Sequence, residues 1–396
     1  MNSKTIITFI FAAAILAGNS FCALLDSGEL NNSASPFSDE YYAAQALVCA
    51  TDASCSTTTA PTSTTTASTL RMVVVGTAGR AWYSDDASTW VPASIHNDLN
   101  NTYTSVVWDG THFVTVGGNT NTGVQIAAYS ADGITWTESA FATNCTAPGA
   151  LTQVIAGTGI LVAVGDAGGG GNPCVMYSAD NGQSWTQGSG AGAGLSYTGV
   201  TFDGTNFIAL QTPGTNAPVY TSTDGMTFSA NAAPFTFGAN PMLPGSLTRI
   251  NGSSAVLWTG TEGSAGNGLN SAISTDGGAN WTATANAVFQ GNTSSETPFS
   301  GVDNGSRLTV VGANCRVDYT DNLTNPSWQH GTSMNGCSTT DWLGVVHDGT
   351  RFVAAGSDSG SMMGVIAVSN TGSGSDWTIT TLPQSSSPVN AIALRP

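Results

Sequence analysis

The sequence is poor in charge, and above all in positive charge. Only 8% of its 396 residues are Asp, Glu, Lys or Arg, and Lys4 is its single lysine. If the N-terminal segment that contains Lys4 is removed on export, seven arginines remain against twenty-five acidic residues. Such a surface repels phosphate backbones and anionic lipid headgroups. We therefore exclude nucleic acid as a partner.

Strong helix formers are also scarce, whereas Gly (48 residues), Ser, Thr and Asn are abundant. Glycine marks places where the backbone turns sharply or takes a positive φ, and helices need the residues that are rare here. The hydrophobic content of 40% is nevertheless enough for a large core. This composition predicts an all-β, turn-rich protein.

Long apolar runs are missing except at the N-terminus, where Ile6 to Ala17 follow Lys4. Twelve residues are too few to span a bilayer, and small residues follow the run, so residues 1–22 are predicted to be an export signal. Cys22 leaves a lipid anchor open as an alternative to plain secretion. The residues Asn19 to Phe21 differ from the Leu-small-small spacing of bacterial lipoprotein signals, which favours secretion.

Two segments precede the folded domain. Residues 23–55 contain one short predicted helix, in which Ser38 caps the first turn before Tyr41 to Val48. Residues 56–69 are almost entirely Ser and Thr and cannot bury enough apolar surface to fold, so they are predicted to be a linker. The folded domain is expected to be residues 70–396.

Six cysteines remain if Cys22 leaves with the signal, an even number in a chain bound for an oxidising compartment. Fifteen pairings are formally open. Proximity in the sequence favours three disulfides, Cys49 with Cys55, Cys145 with Cys174, and Cys315 with Cys337.

The strongest signal is an internal repeat that ends in a Ser-x-Asp-Gly-x-x-Trp turn or a form one residue longer. Five clear copies run from Ser84 to Trp281, and two degenerate copies end at Trp328 and Trp377. The intervals between closing aromatics are 43 to 53 residues. These aromatics are Trp90, Trp136, Trp185, Phe228, Trp281, Trp328 and Trp377.

A second element precedes each turn, in which β-branched and aromatic residues flank Asp-Gly or Asn-Gly. Examples are Ser105 to Gly118 and Gly344 to Gly356. These dipeptides supply the positive φ angles of a tight hairpin, so each unit is predicted to contain strands A, B, C and D, with the Asp turn between C and D. Four strands in roughly 48 residues form one propeller blade.

The two ends of the repeat region complement each other. Leu70 to Trp90 contains strands B, C and D without a strand A, and Val389 to Pro396 resembles a strand A with nothing after it. The sequence therefore predicts a seven-bladed β-propeller of four-stranded antiparallel blades, closed by the C-terminal strand joining the N-terminal blade.

The turn resembles the Asp-box, or bacterial neuraminidase, repeat, and the resemblance covers the chain from about Leu70 onward. The short Asp side chain can accept hydrogen bonds from the amides of its own turn, and the Trp can pack between blades. A structural role is therefore favoured over catalysis or calcium binding for five aspartates, although regularly placed carboxylates invite the other interpretation. They are Asp86, Asp132, Asp180, Asp224 and Asp276; Asn322 and Asn370 stand near the same place in the degenerate copies.

Families with this repeat include sialidases, xyloglucan hydrolases, sortilin-type receptors and a photosystem II assembly factor, and fold alone does not choose among them. A sialidase-like site would need three converging arginines and an Arg-Ile-Pro signature. Arg71 is instead followed by Met72, and Arg249, Arg307 and Arg351 lie at or near AB turns. Ligands usually enter propellers at the opposite face, formed by the BC and DA loops, where only Arg80 and Arg316 are expected. Enzyme activity is therefore disfavoured.

Other catalytic patterns are weak. The four histidines have no metal-ligand spacing, and Gly165 to Cys174 lacks the lysine of a phosphate loop. No catalytic residue, metal or other cofactor is predicted. A ligand would be expected at aromatics and loop side chains on the BC and DA face, although the same aromatics could simply fill the channel mouth. The candidates are Arg80, Tyr103, Asp166, Tyr197, Glu262, Arg316, Asp341, Trp342 and Asp358.

Our leading hypothesis is a secreted or outer-surface, non-catalytic, monomeric propeller that binds a glycan or a protein partner, with no membrane contact apart from a lipid at Cys22. The first alternative is a sialidase-like glycoside hydrolase of the propeller type. The second is a structural component of the cell envelope. Two carboxylates converging in the channel mouth, roughly 5 to 9.5 Å apart, would favour the hydrolase.

Overall fold

A computed structural model describes residues 70–396, with short gaps, and they lie within the unit Ser68–Pro396. The gaps are 144, 146–148, 167–173, 190–195, 212–218, 232–235, 238–239, 251–252, 263–268, 285, 287, 290–296, 332 and 385–386. The predicted signal, N-terminal segment and linker, with Cys22, Cys49 and Cys55, lie outside the described residues. Those expectations stay predictions.

Every named strand belongs to one of seven sheets, and each sheet is one blade. Blade 1 contains β1 (Arg71–Gly76), β2 (Arg80–Ser84) and β3 (Val91–Ser94). Blade 2 contains β4 (Asn101–Trp108), β5 (Phe113–Asn119), β6 (Gln125–Ser130) and β7 (Thr137–Glu138). Blade 3 contains β8 (Ala140–Phe141), β9 (Leu151–Ala156), β10 (Leu161–Gly165), β11 (Cys174–Ser178) and β12 (Ser184–Gln187). Blade 4 contains β13 (Tyr197–Phe202), β14 (Phe207–Gln211), β15 (Val219–Ser222) and β16 (Ser229–Ala230); blade 5 contains β17 (Thr236–Phe237), β18 (Asn240–Arg249), β19 (Val256–Glu262), β20 (Leu269–Ser274) and β21 (Thr282–Ala283). Blade 6 contains β22 (Pro298–Asp303), β23 (Leu308–Gly312), β24 (Val317–Thr320) and β25 (Gln329–His330); blade 7 contains β26 (Thr340–His347), β27 (Phe352–Asp358), β28 (Met363–Ser369) and β29 (Thr378–Thr381), and the last strand, β30 (Val389–Arg395), joins blade 1.

The seven-bladed propeller predicted from the repeat is confirmed, and so is its closure. Strand β30 pairs antiparallel with β1, from Arg395 beside Arg71 to Val389 beside Gly76. It is the A strand of blade 1, and it contacts the A strands of blades 2 and 7. Because the A strands of neighbouring blades touch all the way round, the seven sheets form a closed ring.

The B strands form the middle of the core because each is covered on both faces by neighbouring blades. Strands β1, β5, β10, β14 and β23 are buried almost throughout. Strands buried on both faces tend to be continuous apolar runs instead of alternating patterns. This explains runs such as Val73 to Val75 and Leu161 to Val164, and each apolar cluster draws on two adjacent blades.

Every A strand contains one β-bulge at the same place, a feature that sequence reasoning missed. The pairing of each A strand with its B strand skips one residue there. The skipped residues are Thr104, Thr152, Thr198, Gly245, Phe299, Leu343 and Asn390. Most B strands have glycine opposite the bulge. A Cβ at Gly117 would lie 1.9 Å from the Thr102 carbonyl, so only glycine permits this approach.

Polar side chains at several of the bulges join neighbouring blades. Thr104 donates to the carbonyl of Leu151 at 2.6 Å, and Asn390 donates to the carbonyl of Tyr103 at 2.8 Å. The following residue works in the other direction: Ser105 accepts a hydrogen bond from the amide of Val154. These contacts fix the blades around the channel and satisfy backbone groups that the bulge leaves out of the ladder.

The AB and CD turns lie on one face of the ring, which we call the CD-turn face, and the BC and DA loops lie on the other, the BC–DA face. The predicted hairpin turns are present. Gly110, Gly204 and Gly349 have φ values of 103°, 108° and 96°. Strand D begins directly after the closing aromatic of the repeat, except in blade 3, where it begins one residue before Trp185.

Candidate functional site

The repeated aspartates of the CD turns hold their own turns together. Asp132 accepts hydrogen bonds from the amides of Ile134 and Thr135, both at 2.9 Å, and from the Ser130 hydroxyl at 3.0 Å. The same arrangement, with small differences in turn length, recurs at Asp86, Asp180, Asp224 and Asp276. The carboxylates are therefore engaged by their own backbone.

The two degenerate turns use different residues. Asn322 accepts from the amide of Asn325, as an aspartate would. Asn370 does not have this role. Asp376, just before the closing Trp377, accepts from Ser369 and from the amides of Asn370 and Thr371. The turn of the seventh repeat is longer, and its acceptor, Asp376, lies at the end of the turn. The sequence pattern pointed to Asn370 because that residue lies near the start of the turn, where the aspartate of the other repeats is found.

Substitution of one of these aspartates is expected to weaken the propeller without abolishing folding. Asp132→Ala removes the acceptor of two amides, as loss of a helix N-cap does, and should lower the free energy of unfolding by about 1–2 kcal/mol. Asp132→Asn keeps one acceptor oxygen and should cost less. Urea unfolding followed by tryptophan fluorescence measures both, and equal effects for the two variants would contradict this role.

The BC–DA face carries both described disulfides, as predicted. Cys145 of the DA loop entering blade 3 is bonded to Cys174 at the end of that blade's BC loop. Cys315 in the BC loop of blade 6 is bonded to Cys337 in the DA loop leading to blade 7. The two bridges differ in the loops that they join. Cys145–Cys174 ties the BC loop of blade 3 to the DA loop before that blade, whereas Cys315–Cys337 ties the BC loop of blade 6 to the DA loop after that blade. Two disulfides fit an extracellular or periplasmic protein.

The three predicted aromatics of this face are buried between blades. Tyr103 is 1% exposed, and Tyr197 and Trp342 are fully buried. Each directly precedes a bulge, at the position that Leu151 and Val389 occupy in other blades. The expectation of an aromatic platform is therefore wrong, and the alternative that these rings fill space is supported. Burial also raises the pKa of Tyr103 and Tyr197.

The predicted carboxylates fasten loops of the same face. Asp166 accepts from Ser196, and Asp341 accepts from the amide of Asn314 at 3.0 Å. Asp358 accepts from Thr339, Ser361 and the Gly360 amide. The hydroxyls of Thr339 and Ser361 lower the pKa of Asp358. A carboxylate held in its ionised form is unsuited to be the general acid of a hydrolase.

The remaining candidates lie apart. The Arg80 guanidinium donates to the carbonyl of Gln384 at 3.1 Å, across the junction of blades 7 and 1. Arg316 is in the BC loop of blade 6, between Ala313 and β24. The Glu262 side chain is outside the described part of the chain. The described candidates of this face thus belong to loops of blades 1, 3, 6 and 7.

Blade 2 presents an exposed apolar pair on a rigid polar base, a feature that the sequence analysis did not identify. Asp98 accepts from the amide of Asn100 and from Asn119, whose side chain also bonds Asn101. Leu99, between the anchored residues, is 73% exposed, and Val124 on the adjoining loop is 49% exposed. We call Asp98–Asn100 and Asn119–Val124 the blade-2 knob.

A buried contact between an aspartate and a histidine lies between strands C and D of blade 6. The Asp318 carboxylate is fully buried, and it accepts from the amides of Phe289 and Gly331 and contacts the His330 ring at 2.9 Å. Burial raises the pKa of Asp318, although His330 and the amides oppose the shift. The pair fixes the segment that crosses from blade 5 to blade 6.

Within the described residues, no three His, Cys, Asp or Glu side chains are grouped closely enough to hold a metal ion. The described part of the chain also contains no helix with the length and apolar character needed to cross a membrane.

No family model matches the sequence, and no curated protein matches it. Solved structures share the fold. The chain is similar to a putative 6-phosphogluconolactonase from Bacteroides uniformis, at 13% identity and a TM-score of 0.58, covering 82% of this chain and 99% of that one. It is also similar to a periplasmic gluconolactonase from Pseudomonas aeruginosa, at 12% identity and a TM-score of 0.55, covering 81% and 98%.

A third similar structure is that of YCF48 bound to D1 peptide, at 14% identity and a TM-score of 0.51, covering 72% of this chain and 86% of that one. At such identities the likeness shows the fold alone. A propeller scaffold is thus shared by proteins named for lactone chemistry and by one bound to a peptide.

Proposed function

We propose that this chain is a secreted or surface-held, non-catalytic propeller whose BC–DA face binds a protein partner. The observation that carries the proposal is the blade-2 knob. Leu99 is 73% exposed on a loop whose neighbours are fixed by hydrogen bonds. A loop that is already held in place loses little conformational entropy on binding, so an apolar side chain displayed on it suits a contact with a partner.

A protein partner is favoured over a glycan because the rings that could stack on a sugar are buried. Tyr103, Tyr197 and Trp342 are at most 1% exposed. Exposed aliphatic side chains such as Leu99 and Met362, the latter 56% exposed, suit contacts with protein instead.

The charge of the face indicates the character of the partner. Its described carboxylates include Asp98, Asp166, Asp341 and Asp358, against Arg80 and Arg316. A partner that combines an apolar anchor with basic residues would complement this surface. The structure of YCF48 bound to D1 peptide gives a precedent for a peptide on the fold, although the likeness reaches no further.

Replacement of both apolar residues of the knob is expected to weaken binding by about 30-fold, the loss typical of an anchor worth ~2 kcal/mol. The purified chain would be applied to an array of random peptides, and affinities of the selected peptides measured by fluorescence polarisation. Leu99→Ser with Val124→Ser is the test variant. Ile134→Ser, 39% exposed on the CD-turn face, is the matched control and should bind normally.

The same preparation separates the alternatives. Selected peptides should be rich in basic and apolar residues. Turnover of fluorogenic glycosides or of 6-phosphogluconolactone would contradict a non-catalytic role, and selection of glycans without peptides would contradict a protein partner. A purely structural envelope component predicts neither binding nor turnover.

A further inference from the structure

Arg71 joins blades 1 and 2 on the CD-turn face. Its guanidinium makes a two-point contact with Asp85 of its own blade, at 2.8 and 2.9 Å, and donates to the carbonyl of Asp132 in the next blade at 2.5 Å. The guanidinium carbon lies 5.0 Å from the centre of the Tyr83 ring. One arginine thus fills the cleft between two CD turns.

Arg307 repeats this arrangement between blades 6 and 7. It makes a two-point contact with Asp321, at 2.6 and 2.9 Å, and donates to the carbonyl of Thr371 at 2.8 Å. Its guanidinium lies 4.2 Å from the centre of the Tyr319 ring. Asp132 and Thr371 are at the same position of their turns, so the repeat provides one carbonyl for a guanidinium in each of these clefts.

The cleft between blades 3 and 4 is one of several that lack the arginine, since the equivalent residue is His112 in blade 2, Asn206 in blade 4 and Ala255 in blade 5. Ile160 directly precedes the first residue of its B strand that pairs with strand C, and Arg71 and Arg307 have the same position in blades 1 and 6. Ala179 stands where Asp85 and Asp321 stand. A groove of ≈ 320 Å³ opens there. Its lining includes Ile160, Ala179, Phe202, Thr205, Asp224 and Met226.

We propose that this groove binds an arginine side chain of a partner protein, in the place that Arg71 and Arg307 fill in two of the other clefts. The carbonyl of Asp224 occupies the position of the Asp132 and Thr371 carbonyls and would accept from the guanidinium. Ile160 and Phe202 would pack against the aliphatic stem, as apolar surfaces do for long cationic side chains.

Charge and size both favour this occupant. Asp224 brings a negative charge to the lining, and its pKa is lowered by the amides of Thr227 and Met226. No lysine, arginine or histidine is among the residues that line the groove, and the nearby Arg249 guanidinium approaches it at Gly204, where an added Cβ would lie 2.8 Å from Nη2. Its volume is at the lower end of the roughly 300–1,000 Å³ range of small-ligand sites, which suits one long side chain.

The test uses the fluorescein-labelled pentapeptide Gly-Ser-Arg-Ser-Gly and the full chain, with fluorescence polarisation at low and physiological salt. A peptide with citrulline, which has the same shape without the charge, should bind at least about tenfold more weakly. Met226→Lys places a positive charge in the groove and should weaken arginine binding by a similar factor. The matched control is Ile134→Lys, at the same turn position in blade 2, since Ile134 and Met226 are 39% and 38% exposed.

A second variant rebuilds the missing contact from inside the chain. Ile160→Arg with Ala179→Asp recreates the residues of blades 1 and 6, so it should fill the groove, abolish peptide binding and leave Tm unchanged or higher. Equal binding of arginine and citrulline peptides, no binding of either, equal loss in Met226→Lys and Ile134→Lys, or unchanged binding in the rebuilt variant would each overturn the proposal. The knob variant Leu99→Ser with Val124→Ser should bind the pentapeptide normally, which keeps this outcome separate from the proposed function.

Discussion

A chain that ends at Pro388 is expected to lose its cooperative fold. Strand β30 supplies the buried side chains of Val389, Ile392 and Ala393 and the whole ladder along β1. Burial of a Val or Ile side chain contributes roughly 1.5–3 kcal/mol. With the lost ladder the total is on the order of 5–10 kcal/mol, comparable to the whole stability of a domain.

The position of β30 between two blade junctions increases the stability lost when the strand is removed. Besides pairing with β1, Val389 exchanges hydrogen bonds with Ser357 of blade 7, and Asn390 donates to Tyr103 of blade 2. Removal of the strand therefore opens the ring at two blade junctions and exposes β1 as an unpaired edge, which favours aggregation.

Near-UV circular dichroism and urea unfolding would measure the loss in the truncated chain. Asn390→Ala serves as a graded control, because it removes one hydrogen bond and should cost about 1 kcal/mol. A synthetic peptide of residues 387–396, added in excess, should restore part of the signal. A truncated chain that unfolds at the same urea concentration as the full chain would show that ring closure does not depend on β30.

The fold was predictable because its information is local and repeated. Each Asp-Gly or Asn-Gly pair specifies a hairpin, and the intervals between closing aromatics give the length of one blade. The incomplete unit at Leu70 and the surplus strand at Val389 then required closure. None of these steps needed knowledge of contacts between distant residues.

The positions of Tyr103, Tyr197 and Trp342 show where local pattern is insufficient. Each lies at the entry of an A strand, and this position next to the DA loops led to the prediction of a ligand platform on the BC–DA face. The bulge after each of them inserts one residue, which shifts the following side chains to the other side of the strand. The rings consequently point between blades, and no turn signal in the sequence reveals the bulge.

The two strongest site features were visible only by comparing repeats in register. Ile160 and Ala179 are ordinary residues until they are aligned with Arg71 and Asp85. Asp318 likewise becomes unusual when the same position of strand C is Trp82 in blade 1 and Met176 in blade 3. Asp318 is a departure from the repeat, whereas Ile160 and Ala179 gain their meaning from the contact that Arg71 and Asp85 make in blade 1. In both cases the meaning depends on contacts with residues that are distant in sequence.

Replacement of the Asp318 carboxylate is expected to give the largest effect of any single substitution considered. Asp318→Ala leaves the amides of Phe289 and Gly331 and the His330 ring without their buried acceptor. Loss of one partner of a buried pair typically costs 3–5 kcal/mol. Asp318→Asn preserves the shape and one acceptor, so its cost should be smaller, about 1–3 kcal/mol. Urea unfolding at several pH values would measure both variants.

The pH dependence has a definite sign for Asp318. Because burial raises its pKa, the folded chain holds a proton that the unfolded chain has already released once the pH passes the ordinary value near 3.8. The stability of the parent chain should therefore fall relative to Asp318→Asn as the pH rises through that window.

The CD turns behave in the opposite way: partial burial favours the neutral form of Asp86, but the amides of Thr89 and Ser88 outweigh it and lower its pKa to about 2. Their stabilisation is lost as the pH falls from about 4 towards 2. If the stability of the parent chain instead rises relative to that of Asp318→Asn as the pH rises, His330 stabilises the ionised carboxylate more than burial opposes it. The assignment of a raised pKa to Asp318 would then be wrong.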